Sequence, residues 1–240
     1  MSHSSPICTP AGTPIKQRTV GELVAERPGR SRIFQSLGLD FCCQGGRTLQ
    51  DACERKQIAV DLVVDQLEAE LADKSAPEFN PAELPAHELA EYIVETHHEF
   101  LREELPRLHA MAERVANVHG AHTPSLVEVF KIFLGVEEEL TSHMAKEEQI
   151  LFPAVVAMSR GEVQPMSLDG PIHCMIHEHD EVGNALAVLR DLTGGFRPPT
   201  EACNTYRALF AGLEDLEDDL HRHIHLENSV LFPAAQAMMV

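Results

Sequence analysis

The chain has 240 residues, and its 38 acidic side chains outnumber 19 basic ones for a formal charge of −19, a field that repels nucleic acid phosphates and anionic lipid. With 44% hydrophobic residues and no Trp, it can bury a real core, and its Leu, Ala, Val and Glu favour helices over strands. The expected class is therefore all-α, with no apolar run near the ~20 residues that a bilayer span needs.

Residues 1–15, beginning MSHSSPICTPAGTP, read as a disordered lead-in without the basic-then-apolar pattern of a secretory signal. Six cysteines are too sparse for a disulfide scaffold, so a reducing cytoplasm is the default location. Residues 16–73 form a small helical domain. Thr19 caps a first helix that Pro28-Gly29 stops, and a short helix over 31–37 meets Gly38. The segment Asp40-Phe-Cys-Cys-Gln-Gly-Gly46 follows, then helices near 49–56 and 61–72. Residues 74–85, with three prolines, read as a linker.

From Ala86 to the C-terminus the pattern predicts an up-down-up-down bundle of four long helices. The first spans about 86–117, with a kink expected near Pro106. The second opens at Thr123-Pro124, the third at Asp169 and the fourth at Pro198-Pro-Thr200.

An internal repeat marks the site. Ser142-His-Met-Ala-Lys-Glu-Glu-Gln-Ile-Leu-Phe-Pro-Ala154 matches Arg222-His-Ile-His-Leu-Glu-Asn-Ser-Val-Leu-Phe-Pro-Ala234 at a constant offset, 223 − 143 = 227 − 147 = 80. More weakly, His98 and His179 stand 81 apart, each followed seven residues later by a leucine. Residues four apart share a helix face, so His143 with Glu147, and His223 with Glu227, can point inward together. His98 and His179 complete four imidazoles and two carboxylates, a set able to bridge two cations and leave positions open for a small ligand.

The other histidines are sorted by the same geometry. His221 and His225 lie about 200° around the helix from His223, and His97, about 100° from His98, reads as solvated. Between His177 and His179 the repeat favours His179, although His173 and His177 form their own i,i+4 pair. His119, near a helix end, reads as a lone histidine outside the set or as an extra ligand. Imidazole with carboxylate suits iron, manganese or zinc, and no Cys accompanies the set as in a structural zinc site. Ferritin-type Glu-x-x-His spacing occurs only at Glu95–His98. Cys53, Cys174 and Cys203 are expected in the core.

His-rich ligation with His-x-x-x-Glu resembles the hemerythrin family. Joined to Asp40-Phe-Cys-Cys43, Glu178-His-Asp-Glu181 and Leu226-Glu-Asn228, it resembles the iron-sulfur cluster repair di-iron proteins over nearly the whole span from Thr19 to Phe232. That resemblance implies two non-heme, carboxylate-bridged iron ions held by His98, His143, Glu147, His179, His223 and Glu227. It also implies help in restoring clusters damaged by nitric oxide or peroxide. The clients would be damaged iron-sulfur proteins, the small ligands nitric oxide or oxygen, and nucleic acid and membranes would play no part. Family analogy suggests a homodimer. Cys42 and Cys43 would be reactive, able to share a metal, react with nitric oxide or exchange with a partner thiol. Gln44 departs from the glycine usual after the pair. Rival readings are a di-iron nitric oxide reductase and a gas-binding sensor or carrier.

Overall fold

The computed structural model describes residues 13–72, 79–163 and 167–239; most of the expected lead-in and part of the expected linker lie outside them. The described residues are helical, and their one β-bridge joins Thr19 to Thr48. No helix among them is long and apolar enough to cross a membrane. They fall into two compact units, the first comprising the chain up to Ala90 with Val155–Asp169 and the segment from His221, the second Glu91–Ala154 with Gly170–Leu220.

In the first unit, α1 (Val20–Glu26), α2 (Arg30–Ser36), α3 (Leu49–Lys56) and α4 (Val60–Ala72) enclose Val20, Leu23, Phe34, Leu49, Val63 and Leu67. Thr19 starts α1 with a capping box. Its hydroxyl accepts from the Glu22 N–H at 3.2 Å, and the Glu22 carboxylate accepts from the Thr19 N–H at 3.0 Å. Thr48 caps α3 in the same manner by accepting from the Asp51 N–H. The bridge ties these two starts together, with Val20 N–H donating to the Arg47 carbonyl and Leu49 N–H to the Arg18 carbonyl. After α2, Gly38 adopts φ +64° and lets the Leu39 N–H reach back to the Phe34 carbonyl, which turns the chain into the cysteine segment. Buried Arg30 donates to the Leu23 carbonyl and to Glu26.

The long helices follow. They are α5 (Ala86–Ile93), α6 (Glu99–His119), α7 (Ser125–Lys146), α8 (Phe152–Ser159), α9 (Asp169–Leu192), α10 (Asn204–Leu226) and α11 (Phe232–Ala237). Five-residue π turns join α5 to α6 at Val94–His98, α7 to α8 at Glu147–Leu151, and α10 to α11 at Glu227–Leu231. Two of them sit just before Pro153 and Pro233. A proline inside a regular helix has no N–H and presses its ring on the carbonyl four residues back. One extra residue in the preceding turn relieves that clash and puts each proline at the start of a new α segment.

Several boundaries differ from expectation. The first long helix is interrupted not at Pro106, which lies inside α6, but earlier, at the π turn Val94–His98. Ser125, one residue after Pro124, opens α7, and the Thr123 backbone carbonyl, not its hydroxyl, accepts from Leu126. Asn204, not Pro198–Thr200, opens α10, because Arg207 turns back to the Thr200 and Ala202 carbonyls and holds that stretch as a turn.

Thr19→Ala removes the reciprocal cap of α1 and should cost ~1 kcal/mol of stability, read as a lower urea midpoint, with Thr19→Ser close to wild type.

Candidate metal centre and thiol turn

In the second unit, His98, His143, Glu147 and His179 converge. The first closes the π turn Val94–His98, His143 lies in the last turn of α7, Glu147 opens the next π turn, and His179 comes from α9. All four are at most 3% exposed, and Glu147 is wholly buried. His98 Nε2 and His143 Nε2 each lie 3.3 Å from Glu147 Oε2, and His179 Nε2 is 3.1 Å from His143 Nε2.

The far side of two rings decides their tautomer. His98 Nδ1 is 2.7 Å from Glu148 Oε1, and His143 Nδ1 is 2.9 Å from Glu178 Oε2. An ionised carboxylate only accepts, so both Nδ1 atoms donate, and in a neutral ring the lone pair then sits on Nε2, facing inward. Neither Glu147 oxygen accepts a hydrogen bond. Two imidazole lone pairs aimed at a buried carboxylate repel it, and a bound cation converts that repulsion into ligation. The outer carboxylates orient the rings as such sites require. They are themselves anchored, Glu148 by Arg102 and Glu178 by Lys146. Burial pushes the Glu178 carboxyl up, but hydrogen bonds from Lys146, His143 and Cys174 outweigh it and hold the group below its ordinary value. Phe152 stacks on the His98 ring at 5.7 Å.

The first unit holds the matching pair. His223 Nε2 lies 3.0 Å from Glu227 Oε1, with both residues buried. The next residues of the same helix hold the cysteine turn. His225 donates from Nδ1 to the Phe41 carbonyl at 3.4 Å, and Asn228 donates to the Cys42 carbonyl at 3.3 Å. His221 and His225 meet the Phe41 ring edge-on. Burial pushes His225 down to about 4, against the opposing effect of the Phe41 carbonyl, so it stays neutral. A Cβ on Gly45 would stand 2.6 Å from the Phe41 carbonyl and 3.0 Å from the Ser229 hydroxyl, so glycine is required there, one place beyond Gln44. Asp40 Oδ1 accepts from the N–H groups of Cys42, Cys43 and Gln44 at 3.1, 2.9 and 3.2 Å. The two sulfurs lie 3.8 Å apart. The hydrogen bond with Cys43 and burial, with Asp40 close by, push the Cys42 thiol well above its ordinary value.

Other residues fall differently from expectation. His97 is buried, not solvated, and donates to Asp219 at 2.9 Å. His177 is exposed beside Glu181, while His179 is buried. His119 lies against Cys203. Cys53 is in the core, but Cys174 and Cys203 are exposed, the latter because it precedes α10. No disulfide joins the described cysteines.

Residues 89–235 match the hemerythrin HHE cation binding domain, and residues 16–71 match a domain of unknown function, DUF542. An iron-sulfur cluster repair protein YtfE from Musicola paradisiaca is 40% identical over 92% of this chain and 96% of its own length. A YtfE from Escherichia coli O1:K1 is 41% identical over 92% and 98%. The iron-sulfur cluster repair protein ScdA of Staphylococcus haemolyticus is 35% identical over 89% and 95%. The chain belongs to the iron-sulfur cluster repair family of hemerythrin-like proteins. Within that family's cation binding domain, the buried His and Glu cluster is a candidate metal site.

Glu178→Ala removes the carboxylate behind His143 from a partly exposed position, so the helices should keep their circular dichroism. Metal affinity, measured by chelator competition, should fall ~10–100-fold, with Glu178→Gln in between.

Proposed function

We propose that this chain repairs damaged iron-sulfur clusters with a pair of iron ions held by His98, His143, Glu147, His179, His223 and Glu227. Residues 86–240 serve as the iron-holding domain and residues 16–73 as the thiol-bearing one. The observation that carries the reading is the buried Glu147 carboxylate facing two imidazoles whose Nδ1 atoms donate outward to Glu148 and Glu178. The 80-residue repeat adds His223 and Glu227 as the equivalent of His143 and Glu147.

Four imidazoles and two carboxylates suit iron, and two bridging carboxylates offset part of the charge of two cations. Iron bound this way supplies an exchangeable, redox-active cation with room for a small ligand such as nitric oxide or oxygen. The protein's own contribution is positional. Glu148 and Glu178 fix the rings, Phe152 walls one of them, and the π turns aim the carboxylates inward. No thiolate belongs to the set, so the iron can leave for a sulfur-rich client. The clients are iron-sulfur proteins, and described cysteines outside any disulfide fit a reducing cytoplasm.

Protein purified without oxygen should carry about two irons per chain, as expected for a carboxylate-bridged pair, and should pass iron to an apo-cluster acceptor. Glu147→Ala combined with Glu227→Ala should be nearly empty and inactive in transfer. Full metal retention by the double variant, or zinc in place of iron in both proteins, would sink the reading.

A further inference from the structure

Resting on the reading that this chain handles iron, we propose that Asp40, Cys42 and Cys43 form a second, separate metal site. It takes one divalent cation of the ferrous or zinc type on its way to a client. All three residues belong to the first unit and to one turn, and one ligand atom from each lies within 4.8 Å of the others.

The sulfur spacing suits a shared tetrahedral metal. Two thiolates on one tetrahedral metal, at bonds of ~2.3 Å, stand ~3.8 Å apart. Cys42 and Cys43 hold their sulfurs at 3.8 Å. A disulfide needs ~2.05 Å, which adjacent cysteines reach only with strain. Linear two-coordinate ligation of a monovalent ion would put the sulfurs farther apart, at about twice the bond length. The Asp40 carboxylate supplies a third, harder donor, and a set of two thiolates and one carboxylate selects borderline cations over magnesium or calcium.

The turn is built before any metal arrives. Three backbone N–H groups hold Asp40, the Asn228 amide holds the Cys42 carbonyl, and His225 holds the Phe41 carbonyl. The close approach of Gly45 to Ser229 pins the other side. Exposure rises across the site, with Cys42 buried, Cys43 half-buried and Asp40 exposed, so a ligand approaches from the Cys43 and Asp40 side.

Three protein donors leave the fourth tetrahedral position to water or to an incoming thiolate. Iron-sulfur clusters are themselves held by cysteine thiolates. Binding releases one proton from each thiol as two metal–sulfur bonds form. Transfer is then ligand exchange. A client thiolate bonds to the metal, the bond to Cys43 breaks and Cys43 takes up a proton; the same exchange follows at Cys42, and a further client ligand or water replaces the Asp40 carboxylate, which leaves as the free anion. The metal keeps its oxidation state, so no oxidant or reductant is required.

The test uses the full chain with iron already in the bundle and with Cys8, Cys174 and Cys203 changed to serine, titrated anaerobically with cobalt(II). One cobalt per chain should bind and give a near-ultraviolet sulfur-to-cobalt band with intense visible bands of tetrahedral type. Cys42→Ser and Cys43→Ser should each abolish the two-thiolate spectrum. Asp40→Asn keeps an acceptor for the three N–H groups but removes the charge, and should weaken binding at least ~10-fold. No sulfur-to-cobalt band at stoichiometric cobalt, or a band that survives both serine changes, overturns the proposal. Iron content in the same samples is a separate readout. Its retention in the serine variants bears only on the bundle site, so either site can fail alone.

Discussion

A buried carboxylate with no hydrogen-bond donor sets the terms for the rest of the molecule. Glu147 is wholly buried, and the nearest polar atoms are imidazole nitrogens turned lone pair first. Left without a cation, such a group costs several kcal/mol. Charge alternates outward from that point. Glu147 faces His98 and His143, these rings donate to Glu148 and Glu178, and those carboxylates are closed by Arg102 and Lys146 near the surface. Each layer fixes the orientation of the one inside it. The strong negative charge of the chain thus has an internal use beyond surface solvation, since carboxylates serve both as ligand candidates and as supports for the imidazoles.

The two halves of the repeat show what the sequence symmetry is for and where it is broken. His143, Glu147, Leu151, Phe152 and Pro153 recur 80 residues on, and both copies carry a π turn beginning at the glutamate. Among the positions where the copies part are Thr141, Ala145, Glu148 and Gln149, whose counterparts are His221, His225, Asn228 and Ser229. Those four counterparts are the residues that meet Phe41, the Cys42 carbonyl and Gly45. In the first copy the residue after the glutamate supports a histidine; in the second it supports the cysteine turn. Part of the divergence between the halves therefore records the packing of the thiol turn on the last helix, while the shared His and Glu are the candidate ligands.

Much of this was legible in the sequence because it depends on helical spacing. The repeat picked His98 and His179 out of fourteen histidines, and the structure buries both while leaving His177 exposed. What escaped depends on partners far along the chain. His97 reads as solvated by its angle from His98, yet Asp219, 122 residues away, receives it in the interior. Glu148 and Glu178 look like surface charges until the rings they support are in place. The π turns leave the 3.6-residue pattern almost intact, and their only sequence trace is the proline behind two of them; none follows the first. Cys174 and Cys203 look like core residues by type, but one lies on the outer face of α9 and the other on the turn before α10.

The contrast between the two donor sets gives a direction to metal movement. Imidazoles and carboxylates bind ferrous iron with moderate affinity and exchange it, whereas thiolates prefer the same ion more strongly and match the ligands that hold a cluster. On the proposed reading, an ion held by the two-thiolate turn passes to a client's thiolates without a change of ligand type. Its neighbour and burial favour the protonated state of Cys42, and a bound cation would have to displace that proton. A pair of adjacent cysteines, restrained by one aspartate and seated on the helix that carries Glu227, is then suited to hold a metal briefly. Its exposed edge is what permits release, because a fully enclosed four-ligand site would retain the ion as structure.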